Sequence, residues 1–501
     1  MMKSFETLTK DTGTNKIGER GLTMPRSNYV ANSSLCFQLF THQQCAEIHS
    51  AVLEVLERVG VNIHHQRALA IARKAGAYVD GQRVRFPAAL VEKSIRSAPS
   101  RVVLSDRNKQ RRIFLEGHNF YFGPGPTAMN TIDPFTGERR VPVLEDTCRA
   151  SRVMDALPNI DFQMDFGTPS DVDRKTSDVY AFEALLNNST KPIVHWSYNT
   201  RNLKAMVEMA VAVAGSLQEL QNNPLCAFYC EPISPLTHEF DALDIAMAMA
   251  EYNLPVIYTP APQGGVTAPA TLAGNIVQSL AESLSGLVIH QQVREGAPFI
   301  MGGVITIMDM ISTQITYASP EFNLMAAGLI RMAQFYEIPG FSTAGCSDSK
   351  SVDQQAGIDI ATNCLMAALS GGNLIHDVGY MESGMSTSLQ SLVIGDEVIG
   401  QVKRLIRGIE VNKETLALDA IEAVGPGGDF IGEEHTYNNF KKEWWMPTLF
   451  NRGRHDSWAA QGKPDLAELA SKRLRILLEE HQPQALNEDT KNRIRQIRLA
   501  L

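Results

Sequence analysis

Long hydrophobic runs are missing from this sequence. No stretch approaching the roughly 18 uncharged apolar residues of a membrane-spanning helix occurs, and the opening MMKSFETLTKDTGTNK lacks the apolar core of a signal peptide, so neither spanning nor export is expected. A basic excess is missing too. Lys plus Arg total 46 against 55 Asp plus Glu, a net charge of −9 with an isoelectric point near 5.8, which argues against a nucleic-acid-binding footprint. Cysteines number only seven, an odd and scattered set without a secretory signal, read as the reduced thiols of a cytoplasmic protein. There is no Gly-x-Gly-x-x-Gly, Walker loop, Gly-x-Ser-x-Gly, Cys-x-x-Cys or His-x-x-x-His. What is present is ordinary for a folded chain: 44% hydrophobic and 20% charged residues over 501 positions, enough for two or three domains or for one large barrel with flanking units.

Residues 1–34 are polar, without apolar periodicity, and read as an N-terminal extension. From Thr41 the pattern turns helical (Ile48, Val52, Leu53, Val55, Leu56, Val59), with further helices around Ala68–Ala75 and Ala88–Ala98 and a short strand in GQRVRF, so residues 35–117 are expected to form a small α+β unit. Then one grammar repeats. A short apolar run, often begun by Pro, ends in Gly, Ser, Cys or Pro and leads into a long amphipathic segment: HNFYFG, DFQMDFG, PIVHWS, PLCAFYC, PVIYT, PFIMG, PGFSTAG and NLIHD, eight in all. Continuous apolar character suits strands buried on both faces, and starts 31 to 43 residues apart from Pro192 onward leave room for a crossover helix each time. Helix starts are expected at Ser234-Pro235, at Ser319-Pro320 and, by a capping box of Ser351 and Gln354, before IDIATNCLMAAL. Eight βα units predict an α/β fold, a (β/α)8 TIM barrel over 118–410, followed by a helical segment over 411–501.

Chemistry on such a barrel sits at the C-terminal ends of its strands. The residues there are rich in aromatics (Tyr121, Phe122, Phe166, Trp196, Tyr198, Tyr229, Tyr258, Tyr317, Phe341, Tyr380) and carboxylates (Asp165, Glu231, Asp309, Asp348, Asp377), with His195 and His376 in or after strands. None of the corresponding stretches, from Phe120–Asn130 through Leu374–Ile399, contains Lys or Arg. That argues against a Schiff-base lysine and against a phosphate substrate, and it favours a positively charged ligand, since an aromatic face attracts a quaternary ammonium by about 0.5–2 kcal/mol. Strand aromatics also serve as core, and that reading stands beside the cage. Cys226 and Cys230 lie about 13 Å apart along an extended strand and cannot share a tetrahedral zinc, although a zinc on His195, Cys346 and His376 is conceivable.

The strings PVIYTPAPQGGVTAPATLAG, PFIMGGVITIMDM, STAGCSDSKSVDQQAGIDIATNCLMAALSGGNLIHDVGYMESG, DEVIGQVKRLIRGIEVN and AVGPGGDFIGEEHT resemble the trimethylamine methyltransferase family over roughly Thr41–Arg454. Archaeal members carry pyrrolysine, whereas every position here is a standard residue, so the chain resembles the non-pyrrolysine branch. That resemblance implies demethylation of a quaternary amine, glycine betaine first, with the methyl group delivered to the Co(I) of a separate corrinoid protein. No cobalamin-binding Asp-x-His-x-x-Gly string is present, so no cofactor is expected on this chain and the corrinoid is expected on the partner. No metal is expected either, and a homo-oligomer is permitted. The expected substrate-binding residues are Phe122, Trp196, Tyr229 and Tyr258 as cage walls, with His195, Thr306, His376 and the amides of Gly302 and Gly345 as donors to a substrate carboxylate. Glu231 is the expected acid beside the ammonium. Two other readings stay open: a quaternary-amine binding protein without catalysis, and a zinc-dependent thiol methyltransferase on the same barrel.

Overall fold

A computed structural model describes residues 35–501; the extension expected over 1–34 lies outside the described residues. The first helix, His42–Glu54, starts where Thr41 accepts from the Gln44 amide and the Gln44 side chain returns to the Thr41 N–H. Helices Gln66–Lys74 and Ala88–Ser97 follow around a small sheet whose Val61–Ile63 strand pairs in parallel with Thr237–His238, far along the chain. Sheet pairing thus stitches this unit to the loop after the Cys226–Cys230 strand.

Seven of the eight apolar runs form short strands, and every neighbour pairing among them is parallel. One ladder joins Ile193–His195, Cys226–Cys230, Val256–Tyr258 and Phe299–Met301; a second joins Phe341–Thr343, Leu374–His376 and Tyr121–Phe122. Single bridges Met301–Gly340 and Gln163–Ile193 lie at the ladder ends, and the Asp161 N–H donates to the Phe122 carbonyl at 2.6 Å. DFQMDFG, expected as a strand, contributes only the bridge at Gln163.

Side-chain alternation divides these strands into two faces. Ile193, Phe228, Val256, Tyr258 and Phe299 pack outward against helices. Val194, Ala227, Ile257, Ile300, Phe341 and Leu374 meet one another on the inside, together with Val102, Leu104, Ile113 and Leu115 of the hairpin Val102–Ser105/Arg111–Leu115. That hairpin donates from Ser105 N to Pro224 O and from Arg107 N to Thr190 O, acceptors that precede strands, so it plugs the N-terminal end. Only the C-terminal end is left for a ligand.

Two helix starts differ from expectation. Ser319 does cap Pro320–Phe335. The Ser234-Pro235 pair instead lies in a turn where the Ser234 hydroxyl and the Leu236 N–H both donate to Glu282, and the helix begins at Phe240. A buried carboxylate has taken the groups that a helix start would have used. Likewise Asp353, not Ser351, caps Gln354–Ser370 by accepting from Ala356 N, while Ser351 donates to Asp353. Leu272–Val293 is long and apolar enough to cross a membrane, but 72% of its most apolar window is buried inside the fold, which marks it as a core helix.

Candidate active site

Tyr229 and Glu231 extend from the inward parity of the Cys226–Cys230 strand. Glu231 keeps more than a third of its surface accessible, yet burial raises its carboxyl to about 7, partly offset by a hydrogen bond from Tyr229. Trp196, Tyr229 and Tyr317 are half-buried. For Tyr229 and Tyr317 burial likewise pushes the phenol well above its ordinary range. The space that these groups border at the C-terminal ends of the strands is the candidate hollow.

Asp377 and Asp165 complete its acidic side. Asp377 is 2% exposed, sits at a φ of 80° that non-glycine residues rarely adopt, and has no hydrogen-bond partner for its buried Oδ1. Burial, then the neighbouring Glu231, holds its pKa well above the ordinary carboxylate range. Gly125 passes so close that a Cβ there would lie 2.2 Å from Asp377 Oδ1. Asp165 accepts from Trp196 Nε1 at 2.9 Å and from Thr127 N at 3.2 Å, and burial still raises it to about 7. Tyr317 is held by its N–H donating to Asp348 Oδ1 at 2.7 Å, which also accepts from Ser383 at 2.8 Å. The fields of Glu231, Asp165 and Asp377 all reach Tyr229, while Asp377, Tyr229, Asp165 and Tyr317 act on Tyr380, so these side chains converge.

Several expected site residues lie elsewhere. Phe122 faces outward beside Phe120 and Ile375, because it shares the parity of Ile375 in the ladder. His195 also faces outward: Nε2 meets the Asp178 carbonyl at 2.9 Å, and the ring packs on Phe182 and Phe228. Tyr258 points outward as well, hydrogen-bonded to His238 at 2.6 Å and pressed against Gly286. With His195 on the outer face, the conceivable zinc ligands His195, Cys346 and His376 are not brought together, and among the described residues no group of three His, Cys, Asp or Glu is arranged to hold a metal.

The expected carboxylate donors are committed to the fold. The Gly302 N–H donates to Tyr258 O and the Gly345 N–H to Asn363 Oδ1 at 2.7 Å, while the Thr306 hydroxyl donates to the Thr316 carbonyl. His376 is inside, stacked on Phe341 at 4.1 Å. Its pKa is lowered to about 4 by burial, so the ring is neutral, and Nδ1–H donates to Ser342 O at 2.9 Å. Nε2 is left as a lone pair 3.4 Å from Asp377 Oδ1. Tyr229 and Glu231 share a hydrogen bond, Trp196 is tied to them through Asp165, and Asp377, Tyr317 and Tyr380 interact with the same group. Asp165, Asp377, Tyr317 and Tyr380 were legible as mouth residues but not as partners, because only the loop folds converge them.

The chemistry of such a site suits a cation. Aromatic faces and carboxyls attract positive charge, and the protonated phenols carry none of their own. Comparison with known proteins places the chain in a family. A trimethylamine methyltransferase (MTTB) family description matches residues 9–498. The chain is 33% identical to a trimethylamine methyltransferase MttB of Desulfitobacterium hafniense (strain DSM 10664 / DCB-2), over 91% of this chain and 92% of that one. It is 30% identical to a glycine betaine methyltransferase of Desulfitobacterium hafniense (strain Y51), over 90% and 94%. Among solved structures it is similar to the Methanosarcina barkeri monomethylamine methyltransferase (MtmB), with 12% identity, a TM-score of 0.48, and coverage of 89% of this chain and 88% of that one. With a match along nearly its whole length, the chain belongs to the trimethylamine methyltransferase family.

Proposed function

We propose that the protein moves a methyl group from a quaternary amine to the Co(I) centre of a corrinoid carried by a separate protein, in the cytoplasm. The observation that carries this reading is the grouping of Tyr229, Tyr317 and, through Asp165, Trp196 with Glu231 and with Asp377, whose buried Oδ1 has no partner, and the lack of lysine or arginine in the mouth stretches. The scaffold in this reading is a closed (β/α)8 ring, supported by the two bridges and the Asp161–Phe122 hydrogen bond that lie where its seams would be. All seven cysteines are free, in keeping with a reducing compartment.

The reduced cobalt supplies the nucleophile: it takes the methyl carbon while the C–N electron pair withdraws to nitrogen, which leaves as a neutral tertiary amine. The chain then has to hold the cation with one methyl directed to the mouth, and it has no proton to deliver to the leaving group. Trp196 and Tyr229 would form walls and Glu231 with Asp377 would hold the charge. As that charge vanishes in the transition state, carboxyls that are hard to ionise suit the task better than permanent anions. Exposed Met129, Ile233, Val266, Met310, Ile311 and Met385 stand on the loops around the mouth, an apolar rim that fits docking of a corrinoid-bearing partner.

The test is spectrophotometric: Co(I) cobalamin, protein and a series of quaternary amines headed by glycine betaine, the amine the resemblance puts first. Growth of the methyl-cobalt spectrum supports the reading. Tight amine binding without it would instead indicate a binding protein, and activity lost with a chelator would indicate the zinc alternative.

A further inference from the structure

We infer that the amine this hollow selects carries a net positive charge, with no carboxylate on its remaining substituent, so that betaines are its weaker ligands. This rests on the methylated-ammonium reading above and narrows it by charge.

Every titratable group that faces the hollow is neutral or acidic. Glu231 and Tyr229 come from the end of the Cys226–Cys230 strand, Asp165 from the segment beside it, Tyr317 from the loop after Phe299–Met301, and Cys346 and Asp348 from the loop after Phe341–Thr343. His376, Asp377 and Tyr380 come from Leu374–His376 and the turn beyond. Among the described residues the charge that acts on Asp377 is Glu231, and it repels. A betaine carboxylate placed here would meet carboxyl groups and no basic side chain to pair with.

The neutral donors expected for it are already taken. The Gly302 and Gly345 amides, the Thr306 hydroxyl and the His376 Nδ1–H already donate within the fold, and His376 Nε2 presents a lone pair. Asp377 shows unmet capacity of the opposite kind: its Oδ1 has no donor and the residue is 2% exposed, and buried polar groups are rarely left so unless a ligand completes them. A tail-less cation satisfies Asp377 and Glu231; a zwitterion would need a proton on one of them to hold its own carboxylate. The two ligand classes therefore depend on pH in opposite senses. Cation affinity rises as Glu231 ionises, and betaine affinity falls over the same interval.

The experiment is calorimetric titration of the full chain, without cobalamin, using tetramethylammonium, choline and glycine betaine at about pH 6 and about pH 8, which bracket the Glu231 value of about 7. At the higher pH tetramethylammonium and choline are expected to bind about tenfold or more tightly than glycine betaine, with the cations strengthening and the betaine weakening between the two conditions. Glu231→Gln is expected to flatten the pH dependence and weaken cation binding about tenfold, and Asp377→Asn, a second variant, to weaken it at both pH values. Glycine betaine binding as tightly as the cations at about pH 8, parallel pH dependences, or no binding of either cation would overturn the inference. Cation binding with the expected slope but no methyl transfer would retire the proposed reaction and leave the charge selection standing. Efficient transfer from tightly bound glycine betaine would do the reverse.

Discussion

Replacing Gly125 by alanine adds one methyl group where the chain beyond Tyr121–Phe122 passes closest to the acids. An ideal Cβ at this position would lie 2.2 Å from Asp377 Oδ1 and 2.4 Å and 2.6 Å from two ring carbons of Tyr380. Each is about 1 Å inside ordinary van der Waals contact, and the Gly125 backbone is not left-handed, so the conflict lies wholly with its neighbours. Both neighbours are buried: Asp377 is 2% and Tyr380 5% exposed. Overpacking of this kind costs about 1–3 kcal/mol of folding stability. Most of the displacement falls on the Asp377 carboxyl, so tetramethylammonium affinity should drop by about tenfold or more, roughly 1.4 kcal/mol, even in the folded variant. Denaturant unfolding and calorimetric titration on the same preparation separate the two effects. Gly357→Ala, in helix Gln354–Ser370 with nothing within 4 Å of its Cβ, is the control, expected to gain up to about 1 kcal/mol with binding unchanged. A folded Gly125→Ala protein that binds the cation as the parent does would refute the placement of Asp377 at the ligand.

Asp165→Asn tests the buried acid by pH. Because burial raises the folded-state pKa from 3.8 to about 7, Asp165 is better tolerated protonated, so wild-type stability should fall as pH rises through that window, by a few kcal/mol at most, and the variant should fall less. Urea midpoints across that window measure it, and identical slopes would contradict the assignment. Lys191→Met removes an ammonium that donates to the carbonyls of Met154, Leu157 and Ile160 at 2.6, 2.6 and 2.5 Å, and should cost about 3 kcal/mol in denaturant unfolding, with a near-neutral result disproving the anchor. Glu397→Ala withdraws the carboxylate that accepts from the N–H groups of Thr448, Leu449 and Phe450, and should speed limited proteolysis around that segment while costing about 3 kcal/mol.

The order of apolar runs and crossover helices was legible because burial on both faces writes strands as continuous hydrophobic stretches, and seven of the eight runs do form strands. Which side chains look inward was not legible, since continuous runs erase the alternation that marks a face. His195 and Trp196 are adjacent in sequence, and period-2 geometry excludes their sharing a face, so one of the two expectations had to fail. Tyr258 is paired with Cys230 rather than with Tyr229, a matter of register that no local pattern encodes. The donors expected for a carboxylate were chosen by residue type, and their hydrogen bonds to distant carbonyls appear only in three dimensions. Asp377 stood in plain view at the end of the NLIHD run, but its unpartnered carboxyl oxygen, the feature that singles it out, is a property of its surroundings.

The most direct measurement is a crystal structure of the full chain grown with tetramethylammonium. The ligand nitrogen is expected in the hollow, within about 6 Å of the ring centres of Trp196, Tyr229 and Tyr317, with a carboxylate oxygen of Asp377 or Glu231 as its nearest charged neighbour. Density for the ion elsewhere on the molecule, or the three rings found collapsed against one another with no space between them, would contradict the account.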